Sequence, residues 1–219
     1  MATIELIINN KLLHDFNFSY LENKVDVVKK DNKQLHIKTK QEEVLNLENI
    51  LKESKHEVIQ ENFDLALKML DYLLKLFDYL HKNKTTIIFL NIEDFLVINN
   101  DIIIFNNSDK IFSIDETQID TQQINISIVT NLISSSSLFF LSNNQIENMS
   151  ETIDLNTLNI LSNNSIGYLL LYILNSKLKL NNGINIIQAN SLLKKINGNK
   201  IYYFIERCIS NTHNKLIYI

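Results

Sequence analysis

The residues from Asn62 to Asn107 constrain what this 219-residue chain can fold into more than any other stretch. Between Phe63 and Leu80, apolar residues fall at Phe63, Leu67, Leu70, Leu74 and Phe77, with a second row at Met69, Leu73, Leu76 and Leu80. Two rows at three- and four-residue spacing make an apolar face wider than a surface helix uses. The pattern therefore predicts a long helix buried on most sides. Asn62 fits its N-cap and Asp64 its first turn, while His81, Lys82 and Lys84 sit where the helix dipole favours cations, so the helix should end near Asn83. Beyond it, Thr85–Leu90, Phe95–Ile98 and Asp101–Phe105 read as short strands, the last two joined by a tight turn at Asn99-Asn100.

With 45% hydrophobic residues the chain can bury a substantial core, which suits one domain or one domain with a small appendage. The net charge of −4, with Lys and Arg interspersed among acids, argues against a nucleic-acid partner. A single cysteine, Cys208, excludes an intramolecular disulfide and a Cys-based zinc site, and its apolar neighbours predict a small buried hydrophobe on a helix. The N-terminus lacks the basic start and long apolar run of a secretory signal. The longest apolar patches, around Gly167–Leu174 and Leu138–Leu141, fall short of the roughly 20 residues that span a bilayer. The expectation is an intracellular, cytoplasmic protein without membrane contact. The excess of Asn, Ile, Lys and Leu, with no Pro, indicates an AT-rich coding sequence.

The rest of the chain divides less sharply. Residues 1–23 begin with a short apolar run (Ile4–Ile8) and give no firm assignment, while Lys24–Val28 and Gln34–Lys38 read as strands around a polar turn. Glu42–Leu51 reads as a short connection into a small helix. Ile111–Ile128 reads as loop with one short strand, and Ser134–Ser137 as an exposed loop. Asn156–Leu161, Ser165–Leu174, Ile184–Lys195 and Lys200–Ile209 read as helices, with Gly183 and Gly198 as breaks. Asp94, Asp101 and Asp109 could gather at one end of the hairpin around a hard cation, but solvated turn acids are the simpler reading. The histidines, His14, His36, His56, His81 and His213, lack ligand spacing and suggest surface or cap positions. Aromatic residues such as Phe139, Phe140, Tyr202, Tyr203 and Phe204 read as core.

Taken in order, a strand pair, a short connector, a small helix, a long buried helix, a strand–turn–strand, a long loop and a helical tail resemble the protein kinase fold. Short segments carry the likeness. Val44–Leu51 resembles the hinge and the helix after it, and Glu93-Asp94-Phe95-Leu96-Val97-Ile98 looks like the family's "ENILVD" segment. Phe140-Leu141-Ser142-Asn143-Asn144 stands where "YMAPE" would, and Ser165-Ile166-Gly167 resembles the "SLG" start of the large central helix. Phe204-Ile205-Glu206-Arg207-Cys208-Ile209 looks like the closing "RCL" helix. The resemblance implies an α+β, kinase-like fold over roughly residues 24–219, mostly the helical C-terminal lobe (47–219), with residues 1–46 as a reduced N-terminal lobe and hinge-like connector. The style of the sequence is also similar to kinase-like proteins of large DNA viruses, which would place it in host cytoplasm.

The departures from the family's pattern decide what the resemblance implies about function. A kinase catalytic loop, H-R-D-x-x-x-x-N, needs the Asp to take the substrate's proton and the Asn to hold magnesium. Setting Asp94 at the position of that Asn puts Phe89 at the position of the Asp, and Phe accepts no proton. The metal-binding "DFG" is replaced by Phe105-Asn106-Asn107, the Glu of "APE" by Asn144, and the Asp expected near Ser165 by Ser162. No G-x-G-x-x-G occurs, and residues 1–23 are too few for a glycine-rich loop, a strand bearing the phosphate-binding Lys and the helix bearing its Glu partner. Phosphoryl transfer rests on charges that position phosphate and metal, so the resemblance implies a pseudokinase with no cofactor, no metal and no catalytic residue, working as a binding module for a protein partner. Two alternatives stay open: an enzyme, of unrecognised type or derived from a protein serine/threonine kinase, or a residual nucleotide (ATP) binder, using a cleft near Val44; and an unrelated α+β interaction domain.

Overall fold

The computed structural model describes residues 2–29, 31, 33–39, 44–53, 59–99, 101–114, 124–125, 140–147, 152–153, 155–175, 178 and 183–210. Its architecture is mixed α and β, with small antiparallel sheets set against helices. Ser134–Ser137, His56, His213 and Phe139 lie outside the described residues, as does most of the expected loop after Ile114.

The central helix, α3, spans Ile59–Lys82. It starts before the expected cap, which leaves Asn62 inside the helix. The row Met69, Leu73, Leu76 and Leu80 is fully buried together with Ala66, Tyr72 and Phe77. The other row is only partly covered: Leu67 is 42% exposed, and Phe63 and Leu70 pack at the margin of the core. The helix is thus buried along one broad stripe. Each fully buried large apolar side chain contributes about 1.5–3 kcal/mol. At its end, the Asn83 side chain donates to Tyr79 O at 2.8 Å and Lys84 takes a left-handed φ of 55°. Thr85 Oγ1 then donates to Leu80 O at 3.0 Å, turning the chain into β5 (Thr85–Ile87).

Residues 1–23, unassigned from sequence, form a strand and a helix. Strand β1 (Ala2–Ile7) pairs antiparallel with β3 (Gln34–Thr39), which also pairs with β2 (Asp26–Lys29), in the order β1-β3-β2. Helix α1 (Lys11–Glu22), capped by Asn10 Oδ1 accepting from Leu13 N at 3.2 Å, buries Leu13, Phe16 and Leu21 in the core that holds Leu6, Ile8, Leu35 and Ile37.

Residues Val44–Asn46, expected as connection, form strand β4, followed by α2 (Leu47–Glu53). Strand β4 pairs with β6 (Phe95–Ile98), and β6 with β7 (Ile102–Phe105), giving the register Asn46↔Leu96↔Ile104. The expected first strand stops at Ile87, three residues early, because it pairs only as far as β8 (Ile111–Ser113) reaches. The β6–β7 turn closes with Asp101 N donating to Ile98 O at 3.1 Å and Asn99 at φ 55°. Short pairing also joins β9 (Ile124–Asn125) to β10 (Thr152–Ile153).

In the C-terminal half, α4 (Asn143–Glu147) precedes α5 (Leu155–Leu174), a continuous helix where two were expected. Ser162, Asn163, Asn164 and Ser165 interrupt its apolar pattern, yet all four are buried. Helices α6 (Ile186–Lys194) and α7 (Lys200–Ile209) follow, the latter with the bounds expected. Gly167 lets α7 approach α5, since a Cβ there would lie 2.6 Å from the Cys208 Cβ. Cys208 is buried as expected, and Phe140 is core, but Tyr203 is 54% exposed. Among the described residues no helix is long and apolar enough to cross a membrane.

Candidate functional site

The end of the β4-β6-β7 sheet gathers most of the residues singled out from sequence. A 3-10 turn at Ile92–Asp94 leads into β6, and the Asp94 carboxylate folds back to accept a hydrogen bond from Asn91 N at 2.7 Å. Across the hairpin, Asn106 N donates to Asp94 O at 2.8 Å, so the residue after β7 is fixed beside the residue before β6. Asn107 Nδ2 donates to Asp94 Oδ1 at 2.7 Å, and Lys110 Nζ to Asp94 Oδ2 at 2.5 Å.

This ion pair is out of water: the Lys110 and Asp94 side chains are 1% and 2% exposed. Burial pushes the Lys110 ammonium below its ordinary range, against the pull of Asp94. The ammonium also lies 4.7 Å from the centroid of the Phe89 ring, whose π face complements it. Asp94 is therefore not the solvated turn acid expected. Both of its oxygens are held by a cation, an amide side chain and a backbone N–H, which leaves it shielded as a base or metal ligand.

Phe89, Asp94, Phe105 and Asn106 thus converge, and Lys110, Asn91 and Asn107 join them. Phe105 stacks edge-on against Phe95, with centroids 5.5 Å apart. Its N–H donates to Tyr72 Oη at 2.6 Å, Tyr72 donates to Asn17 Oδ1 at 3.0 Å, and Asn17 Nδ2 donates to Phe105 O at 2.9 Å. This closed buried triangle ties α1, α3 and β7 together. The other two acids of the expected cluster stand apart: Asp101 is exposed and paired with Lys68, and Asp109 is exposed in the 3-10 turn Ser108–Lys110. Among the described residues no group of three or more His, Cys, Asp or Glu could hold a metal ion. Asn144 is exposed on α4.

Helix α5 supports the loop behind the site. Ser162 Oγ donates to Ile87 O, and Ser165 Oγ accepts from Leu90 N at 2.6 Å. Phe140 N donates to Leu90 O at 3.1 Å, bringing the segment before α4 onto the same loop. Asn164 Nδ2 donates to Cys208 O at 2.8 Å and its Oδ1 accepts from Gln145 Nε2 at 3.0 Å. The polar interruption in α5 is thus a set of anchors.

Lys110, His14, Asn17, Tyr72 and Asn91 escaped the sequence reading. Lys110, in a run of Asn, Ser and Asp, carries the marks of a solvated loop, and only the β5–β8 pairing brings it inward. His14, expected at the surface, is fully buried on α1. Two surface grooves lie elsewhere, one of about 430 Å³ beside Asn185, Ile187 and Leu192, the other of about 320 Å³ between α1 and α3 beside Phe16, Tyr20 and Tyr79. The chain matches no protein-family model and no curated protein sequence.

Proposed function

We propose that this chain is a catalytically inactive, kinase-like domain that works as a protein-binding scaffold. The observation that carries the reading is the occupation of Asp94. The residue set at the magnesium-holding position is bonded to Lys110, Asn107 and Asn91 N, while the base position holds Phe89, which faces the same ammonium. A site arranged this way has no proton acceptor to spare and no charge with which to position phosphate and metal.

The order of elements supports the same reading. A long buried helix is followed by a strand, a loop carrying Phe89 and Asp94, a hairpin, and a strand that returns to pair with the first. The buried helix α5 then holds that loop through Ser162 and Ser165. In front, β1 and α1 have the order of the phosphate-binding-Lys strand and its partner helix, with no glycine-rich loop ahead of them. Strand β1 holds no lysine, and of the two acids in α1, Asp15 and the terminal Glu22, Asp15 is bound by Lys29 at 2.5 Å. The reading is tested by incubating the pure protein with Mg-ATP and a general protein substrate, and by thermal unfolding with and without Mg-ATP. Absent phosphotransfer and an unchanged midpoint are expected; magnesium-dependent transfer overturns the reading.

A further inference from the structure

Helix α3 repeats a charge pattern with a period of seven. Asp64, Asp71 and Asp78 recur at every seventh residue, and Lys68, Lys75 and Lys82 each follow one of them by four. All six are exposed, the five from Lys68 to Lys82 by 45–72%. Their alternating spacings of four and three form one straight stripe along the helix, opposite the buried row Met69, Leu73, Leu76 and Leu80. A solvated face needs charge but no register; a strict seven-residue period adds a seam that a second helix can follow. Within the chain the stripe is tied lightly. Lys75 Nζ meets Asp71 Oδ2 and Lys82 Nζ meets Asp78 Oδ2, each at 2.6 Å, while Lys68 is paired with Asp101. Exposed pairs of this kind contribute little, so they can re-pair across an interface at small cost.

The order of the charges decides which helix fits. Laid antiparallel on itself about a two-fold axis at the level of Leu73, the stripe opposes every charge: Asp64 faces Lys82, Lys68 faces Asp78 and Asp71 faces Lys75, and the axis makes each contact twice. A parallel pair would set Asp on Asp and Lys on Lys. The groove beside Phe16, Tyr20 and Tyr79 has Lys75, Asp78 and Lys82 among its walls. The partner's Lys68 can therefore lay its apolar stem along that groove while its ammonium reaches Asp78.

We propose that the exposed face of α3 docks a second copy of this chain, helix against antiparallel helix. The inference uses this face alone and does not rest on the kinase-like reading. One helix seam is a small contact, so the dimer is weak and forms at high protein concentration. Sedimentation equilibrium of the full chain tests it at about 0.01 M and about 1 M salt, where charges are screened beyond roughly 30 and 3 Å. A dimer is expected at low salt and its loss at high salt. Lys75→Glu sets like charges together twice; it should weaken the dimer at least about tenfold with the circular dichroism of the fold unchanged, and Asp71→Lys/Lys75→Asp should restore it. Carbodiimide coupling at low salt should join Lys68 to Asp78, which lie about 15 Å apart along one helix, too far for a direct amide unless a second copy supplies the partner. A monomer at every salt concentration overturns the proposal and leaves the stripe facing water. A dimer that Lys75→Glu leaves intact, or one that couples other pairs in place of Lys68 and Asp78, overturns it as well, because the contact then lies elsewhere.

Discussion

Lys110 Nζ lies 2.5 Å from Asp94 Oδ2, and the two side chains are buried together at the end of a three-stranded sheet. The pair joins the loop before the β6–β7 hairpin to the turn after it. Taking two charges out of water is expensive, so such a pair adds little over an apolar replacement, but breaking it strands a charge.

Lys110→Met should therefore cost about 3–5 kcal/mol in urea denaturation, because Asp94 is left uncompensated in the interior. The double variant Lys110→Met/Asp94→Asn should lose less than Lys110→Met alone. Equal or additive losses would show that the charge pairing is not what matters.

Gly167→Ala places a methyl group 2.6 Å from the Cys208 Cβ and 3.0 Å from Ile209 Cγ1, where both neighbours belong to a packed helix. Overpacking of this kind costs about 1–3 kcal/mol. Thermal unfolding should show the loss, and a neutral result would mean that α7 can retreat from α5.

The long helix α3 and the β6–β7 hairpin were legible in the sequence because their apolar periods of helix and strand are unbroken and their turns carry Asn and Lys. Helix α5 was read as two because Ser162–Ser165 interrupt its apolar run; the partners that satisfy these residues, Ile87, Leu90, Cys208 and Gln145, are distant in sequence and leave no local mark. Helix α1 was missed for a similar reason. Its buried face includes His14, expected at the surface, and Asn17, whose partners Tyr72 and Phe105 lie far along the chain. Four sequence-singled positions do meet, but the cation that defines the site, Lys110, has no periodic signature at all.

Tyr72→Phe removes the hydroxyl that accepts from Phe105 N and donates to Asn17 Oδ1. A buried N–H is left unsatisfied, at a cost of about 1–3 kcal/mol. Tyr79→Phe, at a half-buried ring beside it, serves as the comparison and should lie within about 0.5 kcal/mol of the unaltered chain.

Stability should fall on the alkaline side. Burial pushes the Tyr72 phenol up from its ordinary 10.0, the Tyr168 phenol up to about 12 and the Cys208 thiol up from 9.0. A group raised on folding holds its proton more tightly in the native state, so its contribution is fully present below the unfolded value and is lost as pH rises through the folded one. Lys110, lowered from 10.5, acts in the opposite sense, gaining stability as pH rises over part of that window, and offsets one of the three. Urea midpoints measured upward from pH 8 should decline from about pH 9 onward, and Cys208→Ala should make the decline shallower.

The most direct test is phosphotransfer from labelled ATP, with magnesium, to the chain itself and to a general protein substrate, run beside Asp94→Asn. The account predicts no label above background for either protein, because Asp94 is held by Lys110 and Phe89 occupies the base position. Magnesium-dependent labelling by the unaltered chain that disappears in Asp94→Asn would contradict it.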